Sequence, residues 1–141
     1  MTRATFDANV LASGFVRPQG PPGQLLQRWR AGAFTLIVSD PLIGETERTL
    51  EKPYFAERLT HWQRANNIAL LRREAVVTPL TETVTGVATH PEDDLVLAAA
   101  VSAHSDYLVT GDRKLQAMGM YDSVRILSPR QFLDVLDAQI S

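Results

Sequence analysis

Short apolar runs, each broken off by a helix-start or turn signal, constrain this chain more than any other feature. Thr5-Phe6 forms the first and Phe34-Thr35-Leu36-Ile37-Val38-Ser39 a dense second. Ala75-Val76-Val77, Tyr107-Leu108-Val109 and Val124-Arg125-Ile126-Leu127 follow. Runs that are continuously apolar read as strands buried on both faces. Helical patterns fill the intervals. Residues 8–15 follow Asp7. Residues 24–31 place Leu25, Leu26 and Trp29 on one side and stop at Gly32. Ser39 or Asp40 supplies a cap and Pro41 a proline at the first helical position, and that helix runs to Glu51, ahead of Pro53. Residues 54–74 read as two helical pieces parted near Asn66-Asn67, with Phe55, Leu59 and Trp62 on one face, either core or a contact face. Residues 81–89 fit an edge strand or a loop. Residues 95–103 are apolar nearly all round and predict a central buried helix. Ser128-Pro129 caps a last helix through Ala138. Strands alternating with helices predict an α/β fold over residues 1–141 as one domain: a three-layer α/β/α sandwich with a mostly parallel central sheet. In such sheets ligands bind at the carboxyl ends of the strands.

Composition removes several classes of function. The 141 residues include no cysteine, which excludes disulfide frameworks, Cys-ligated metals and thiol nucleophiles. No apolar run approaches the ~18 residues of a membrane span, and the N-terminus enters a strand directly, so no membrane partner or signal peptide is expected and a cytoplasmic location is. The net charge is −2, unevenly spread: residues 28–73 hold eight basic against five acidic side chains, and residues 74–141 four against ten. A pI of about 5.9 argues against a duplex-DNA binder held by a basic face.

The acids fall in telling places on the predicted frame. Asp7 sits at the tip of the first strand and Asp112 just past the Tyr107–Val109 strand. Glu45 lies in the second turn of the helix after the Phe34 run, and Asp94 near the start of the buried helix. A carboxylate at a strand tip is often a turn former, and an acid at a helix start often offsets the helix dipole, a role that Glu92 and Asp93 fill as well. Asp7 fits those roles least, because it follows an apolar strand and precedes a helix. Carboxylates that converge in one cleft repel strongly unless a cation neutralises them, and hard oxygen donors select Mg²⁺ or Mn²⁺. Such ions act on phosphate esters. Arg113 and Lys114 are candidates to steady a phosphate.

These residues lie in segments that resemble the motifs of a known family. Phe6-Asp7-Ala8-Asn9-Val10-Leu11-Ala12-Ser13 resembles the opening motif of PIN domains. The stretch from Val38 to Leu50 resembles their second motif, with Glu45 at the acidic position. His90-Pro91-Glu92-Asp93-Asp94-Leu95 resembles the third, though it opens His-Pro where Asp-Pro is common. Leu108-Val109-Thr110-Gly111-Asp112 resembles the fourth, and Ile126-Leu127-Ser128-Pro129 the closing strand and helix. The nearest likeness is to the VapC-like toxins of bacterial toxin–antitoxin systems. The resemblance implies a PIN-like, Rossmann-like sandwich and an Mg²⁺- or Mn²⁺-dependent endoribonuclease that hydrolyses RNA phosphodiesters. It also implies a homodimer and a cognate antitoxin. By residue it implies Asp7, Glu45, Asp94 and Asp112 as catalytic metal-site acids, with Asp93 as the alternative to Asp94, and Asn9 and Thr110 as groups that orient them.

Other readings fit less well. An aspartyl-nucleophile phosphatase needs a second Asp where Asn9 stands. His104-Ser105-Asp106 lacks a nucleophile elbow. The histidines at 61, 90 and 104 show no ligand spacing, and no Gly-rich phosphate loop is present. A catalytically silent RNA-binding or assembly module on the same fold is the main alternative to the nuclease.

Overall fold

The strands assemble into a six-stranded sheet in the order β3-β2-β1-β4-β6-β5. The structure, a computed structural model, describes residues 1–140. Its elements are β1 (Arg3–Phe6), α1 (Ala8–Val16), α2 (Pro21–Arg30), β2 (Thr35–Val38), α3 (Asp40–Leu50), α4 (Pro53–Ala56), α5 (His61–Glu74), β3 (Val76–Val77), α6 (Pro91–Ser102), β4 (Tyr107–Val109), α7 (Arg113–Met118), β5 (Met120–Tyr121), β6 (Val124–Leu127) and α8 (Pro129–Ile140). Every strand pair is parallel except β5–β6, as the alternation of strands and helices predicts.

The two faces of β1 show how the layers form. Phe6 turns one way and meets Phe132 of α8 at 6.0 Å between ring centroids and Phe34 at 5.6 Å. Phe34 and Phe132 close the trio edge-on at 5.1 Å. Thr5 turns the other way, and its hydroxyl is 2.8 Å from that of Ser105, just beyond α6. A strand buried on both sides must satisfy polar side chains internally, and this hydroxyl pair does so. α6 packs across β1, β2 and β4, and its Leu97, Ala99 and Ala100 are fully buried. On the outer layer the start of α2 packs at Gly23 against the turn that follows α1. A Cβ there would lie 2.2 Å from the Arg17 carbonyl oxygen and 2.5 Å from backbone atoms of Pro18, so only glycine fits.

The chain departs from the predicted elements at two places. The break in residues 54–74 falls at 57–60 rather than at Asn66-Asn67. Thr60 forms a reciprocal capping box with Gln63, and α5 then runs through both asparagines without interruption. Residues 81–89 form a loop, one of the two readings expected of them. Past α7 a short antiparallel strand, β5, joins β6 through Asp122 and Ser123, both at positive φ (47° and 72°). That two-residue turn carries no glycine, so the usual hairpin signal is missing. Phe55 is buried, whereas Trp62 is 73% exposed and does not share its environment.

Strand order sets the position of the site. From β1 the chain moves outward through β2 to β3, then returns through α6 to β4 on the other side of β1. The carboxyl ends of β1 and β4 therefore flank the point where winding reverses, and there the flanking connections diverge and leave a crevice.

Candidate functional site

At that reversal point lies an open cleft of about 540 Å³, lined by acids from four separate parts of the chain. Asp7 leaves β1 and caps α1, its Oδ1 accepting the Val10 N–H at 2.8 Å. Its Oδ2 accepts the Thr110 hydroxyl. The Asp7 backbone N–H bonds the Val109 carbonyl at 3.1 Å, which ties the tip of β1 to the tip of β4. Asp7 is 6% exposed, and burial is the main cause of the upward shift of its pKa. Hydrogen bonds from Thr110, Val10 and Gly111 oppose the shift, and the charge of Asp112 adds to it.

Asp112 follows β4 by the Thr110-Gly111 step and caps α7, its Oδ1 accepting the N–H groups of Lys114 (2.8 Å) and Leu115 (3.1 Å). Thr110 links the two strand tips, because its hydroxyl donates to Asp7 and accepts the Asp112 N–H at 3.0 Å. The Thr110 carbonyl accepts from Gln116 Nε2 at 2.7 Å, which anchors the loop from behind. Asn9, by contrast, lines the cleft itself and makes no hydrogen bond to any of these acids.

At the start of α6 the two candidate acids lie in different surroundings. Asp94 is buried, 8% exposed, and its carboxylate points away from the cleft into the preceding loop. Its Oδ2 accepts the Gly86 N–H at 3.0 Å, and its Oδ1 accepts those of Val87 (3.2 Å) and Ala88 (2.7 Å). Three backbone donors satisfy that charge, so Asp94 holds the loop in place. Asp93 is the residue that faces the cleft. Its pKa is raised to about 6, first by desolvation, then by the charges of Asp7 and Asp112, with a smaller contribution from Glu92. His90 acts in the opposite direction.

Glu45 also lines the cleft, with one oxygen 2.9 Å from the guanidinium of Arg48 one turn further along α3. His90, Glu92 and Lys52 complete the lining, and composition and spacing marked none of them. Arg113 and Lys114, the cations adjacent to Asp112 in sequence, do not line it.

With this geometry in view, comparison with known proteins becomes informative. The sequence matches the PIN domain family over residues 3–114, a span that contains Asp7, Glu45, Asp93 and Asp112. The chain belongs to the PIN domain family. Proteins of this family are in general nucleases. A search of curated proteins finds no match. Among solved structures, the PIN domain superposes on a chain from the crystal structure of VapBC2 from Rickettsia felis bound to a DNA fragment from their promoter. The TM-score is 0.62 at 12% identity, covering 89% of this chain and 97% of that one. At that identity the likeness is one of fold.

The donor set of this PIN domain suits a hard divalent cation in kind. Asp7, Asp93 and Asp112 supply oxygen donors; beyond desolvation, the charge of Asp112 pushes up the pKa of Asp7, and the charges of Asp7 and Asp112 push up that of Asp93, a repulsion that a bound cation would relieve. Among the described residues no three acidic or histidine side chains already stand close enough to enclose an ion. Asp93 is half-buried, whereas Asp7 is buried and held by its two partners. No helix among the described residues is long and apolar enough to cross a membrane.

Proposed function

We propose that this PIN-domain protein is a divalent-metal-dependent endoribonuclease that hydrolyses single-stranded RNA and is the toxin of a toxin–antitoxin pair. The observation that carries the reading is the convergence of Asp7, Asp93 and Asp112 on one cleft at the winding reversal, where the charges of Asp7 and Asp112 add to the upward shift of the Asp93 pKa. Asp7, Asp93 and Asp112 would hold Mg²⁺ or Mn²⁺, with Glu45 beside them. A bound ion of this kind acidifies water and offsets charge that builds on phosphate oxygens during hydrolysis.

The chain's own residues prepare the site. Val10 N–H and the Thr110 hydroxyl fix both oxygens of Asp7, and each oxygen keeps further accepting capacity. The Thr110 hydroxyl couples the orientation of Asp7 to the backbone at Asp112, so the two acids move as one unit. Arg48 steadies Glu45 at the cleft mouth. Asp94 takes no part in the chemistry and orders the loop that leads into His90 and Asp93. The structural neighbour is a VapBC2 complex, which supports a small protein inhibitor as the partner of this chain.

The test is cleavage of labelled single-stranded RNA with Mg²⁺ or Mn²⁺, with and without chelator, for the wild type, Asp7→Asn and Asp93→Asn. The reading expects metal-dependent product from the wild type and a loss of at least about a hundredfold in both variants. Undiminished cleavage by clean Asp7→Asn protein would overturn it. RNA binding without turnover would favour the catalytically silent module.

A further inference from the structure

We propose that Lys52 is a substrate-binding residue that contacts a phosphate of the RNA strand adjacent to the acidic centre. This rests on the nuclease reading and specifies how a polyanion enters a cleft of its own sign. The lining holds five carboxylates, those of Asp7, Glu45, Glu92, Asp93 and Asp112. One divalent ion offsets two of those charges, so the approaching strand still meets net negative charge. A cationic side chain set beside the centre is needed to hold it there.

Lys52 occupies that position. It lies in the turn between α3 and α4 and lines the same cleft as the strand-tip acids. Its backbone is firmly held. The N–H bonds the Thr49 carbonyl at 3.1 Å, and its carbonyl accepts from Phe55 (3.0 Å) and Ala56 (2.9 Å). Pro53 keeps Lys52 extended at φ −64° and ψ 149°, so the base of the side chain has one direction.

Its charge is also uncommitted. Among the described residues, Lys52 makes no ion pair with any of the surrounding acids, whereas Arg48, four residues earlier, is paired with Glu45 at 2.9 Å. Arg28, Arg30 and Arg72 are likewise paired with acids. A lysine that lies among five carboxylates and binds none of them is available for an anion brought from outside. The chain has twelve arginines and two lysines, and the other lysine, Lys114, lies off the cleft. An ammonium on a flexible stem serves as a point charge for phosphate, tolerant of strand geometry and without base preference.

The experiment measures binding of a short fluorescein-labelled RNA single strand of mixed sequence by anisotropy, with Ca²⁺ in place of Mg²⁺, across about 50–200 mM salt. Wild type, Lys52→Ala, Lys52→Arg and Arg113→Ala are compared, and the same proteins are assayed for cleavage with Mg²⁺. Loss of one phosphate contact lowers the slope of log affinity against log salt by ~0.7. It weakens binding roughly two- to fivefold, the scale of one exposed ion pair. Lys52→Ala is expected to show both effects and a raised KM with kcat little changed. Lys52→Arg restores the slope and Arg113→Ala leaves it alone. An unchanged slope in Lys52→Ala, or a slope lost in Arg113→Ala instead, overturns the proposal, as does a wild type that binds no RNA. Binding with a Lys52-dependent slope but no cleavage by the wild type supports the proposal and overturns the nuclease reading alone.

Discussion

Adjacent acids at the start of α6 are expected to respond in opposite directions to the same substitution. Asp94→Asn keeps one carbonyl oxygen, enough for the two donors now on Oδ1, Val87 and Ala88. The new amide turns its own donors toward the Gly86 N–H, so that bond is lost. An unmatched backbone donor costs ~1–3 kcal/mol when buried, and exchange of a charged for a neutral acceptor weakens the remaining two bonds. Gly86 and Val87 are exposed, so water compensates in part and the expected loss is about 1–2 kcal/mol. At a urea slope of ~2 kcal/mol per molar, the midpoint falls by roughly 0.5–1 M. Asp93→Asn goes the other way. Asp93 is ionised at pH 7 against the charges of Asp7 and Asp112, so its neutral replacement leaves the metal-free midpoint unchanged or higher, while RNA cleavage is lost. The assay is urea unfolding in EDTA at pH 7, read by tryptophan fluorescence, with amide exchange over residues 84–90 as the local readout. Faster exchange in Asp94→Asn alone is expected. Equal midpoint shifts in the two variants, or a larger loss in Asp93→Asn, would refute the division of roles.

Three further outcomes follow from the same geometry. The Asp93 pKa rises from 3.8 unfolded to about 6 folded, so its favourable contribution is complete below the unfolded value and is lost as pH climbs through 6. Metal-free wild type should therefore lose melting temperature between pH 4 and pH 7 relative to Asp93→Asn, measured by differential scanning fluorimetry at constant ionic strength. Thr110→Val removes the hydroxyl that joins Asp7 to the Asp112 backbone, and cleavage should fall roughly 10- to 100-fold in metal-saturating buffer with the fold intact by circular dichroism. Gly23→Ala forces a Cβ to within 2.2 Å of the Arg17 carbonyl oxygen, and backbone displacement of α2 against the Arg17-Pro18 turn should lower stability by ~1–3 kcal/mol in urea titration.

The frame was legible in the sequence because its signals are local. The Phe34–Ser39 run, the proline at the second position of α3 and the apolar α6 each announce one element without reference to the rest. Asp7 and Asp112 could be placed at the strand tips for the same reason, and chain order alone put them near the edge where ligands bind. What the sequence could not settle was the choice between Asp93 and Asp94. Both precede buried residues three and four positions on (Val96 and Leu97, Leu97 and Ala98), so helical periodicity does not separate them. The deciding partners are the N–H groups of Gly86, Val87 and Ala88, presented by an irregular loop whose path depends on Gly86 at φ +70°. Lys52 was hidden for a related reason. It lies just past the end of the second motif at Leu50, outside every position that the motifs single out, and reaches the cleft through the turn between α3 and α4, whereas Arg113 and Lys114 adjoin Asp112 yet lie off the cleft. The hairpin of β5 and β6 was missed because Asp122 and Ser123 adopt positive φ without the glycine that usually marks such a turn.

Titration of Mn²⁺ into the wild type, Asp93→Asn and Asp94→Asn, with the free ion followed by electron paramagnetic resonance, bears most directly on the carboxylate centre. Saturable binding by the wild type and by folded Asp94→Asn, with affinity lost in Asp93→Asn, is the expected pattern. Binding that survives in Asp93→Asn but vanishes in folded Asp94→Asn, or a wild type that takes up no Mn²⁺, would contradict the account.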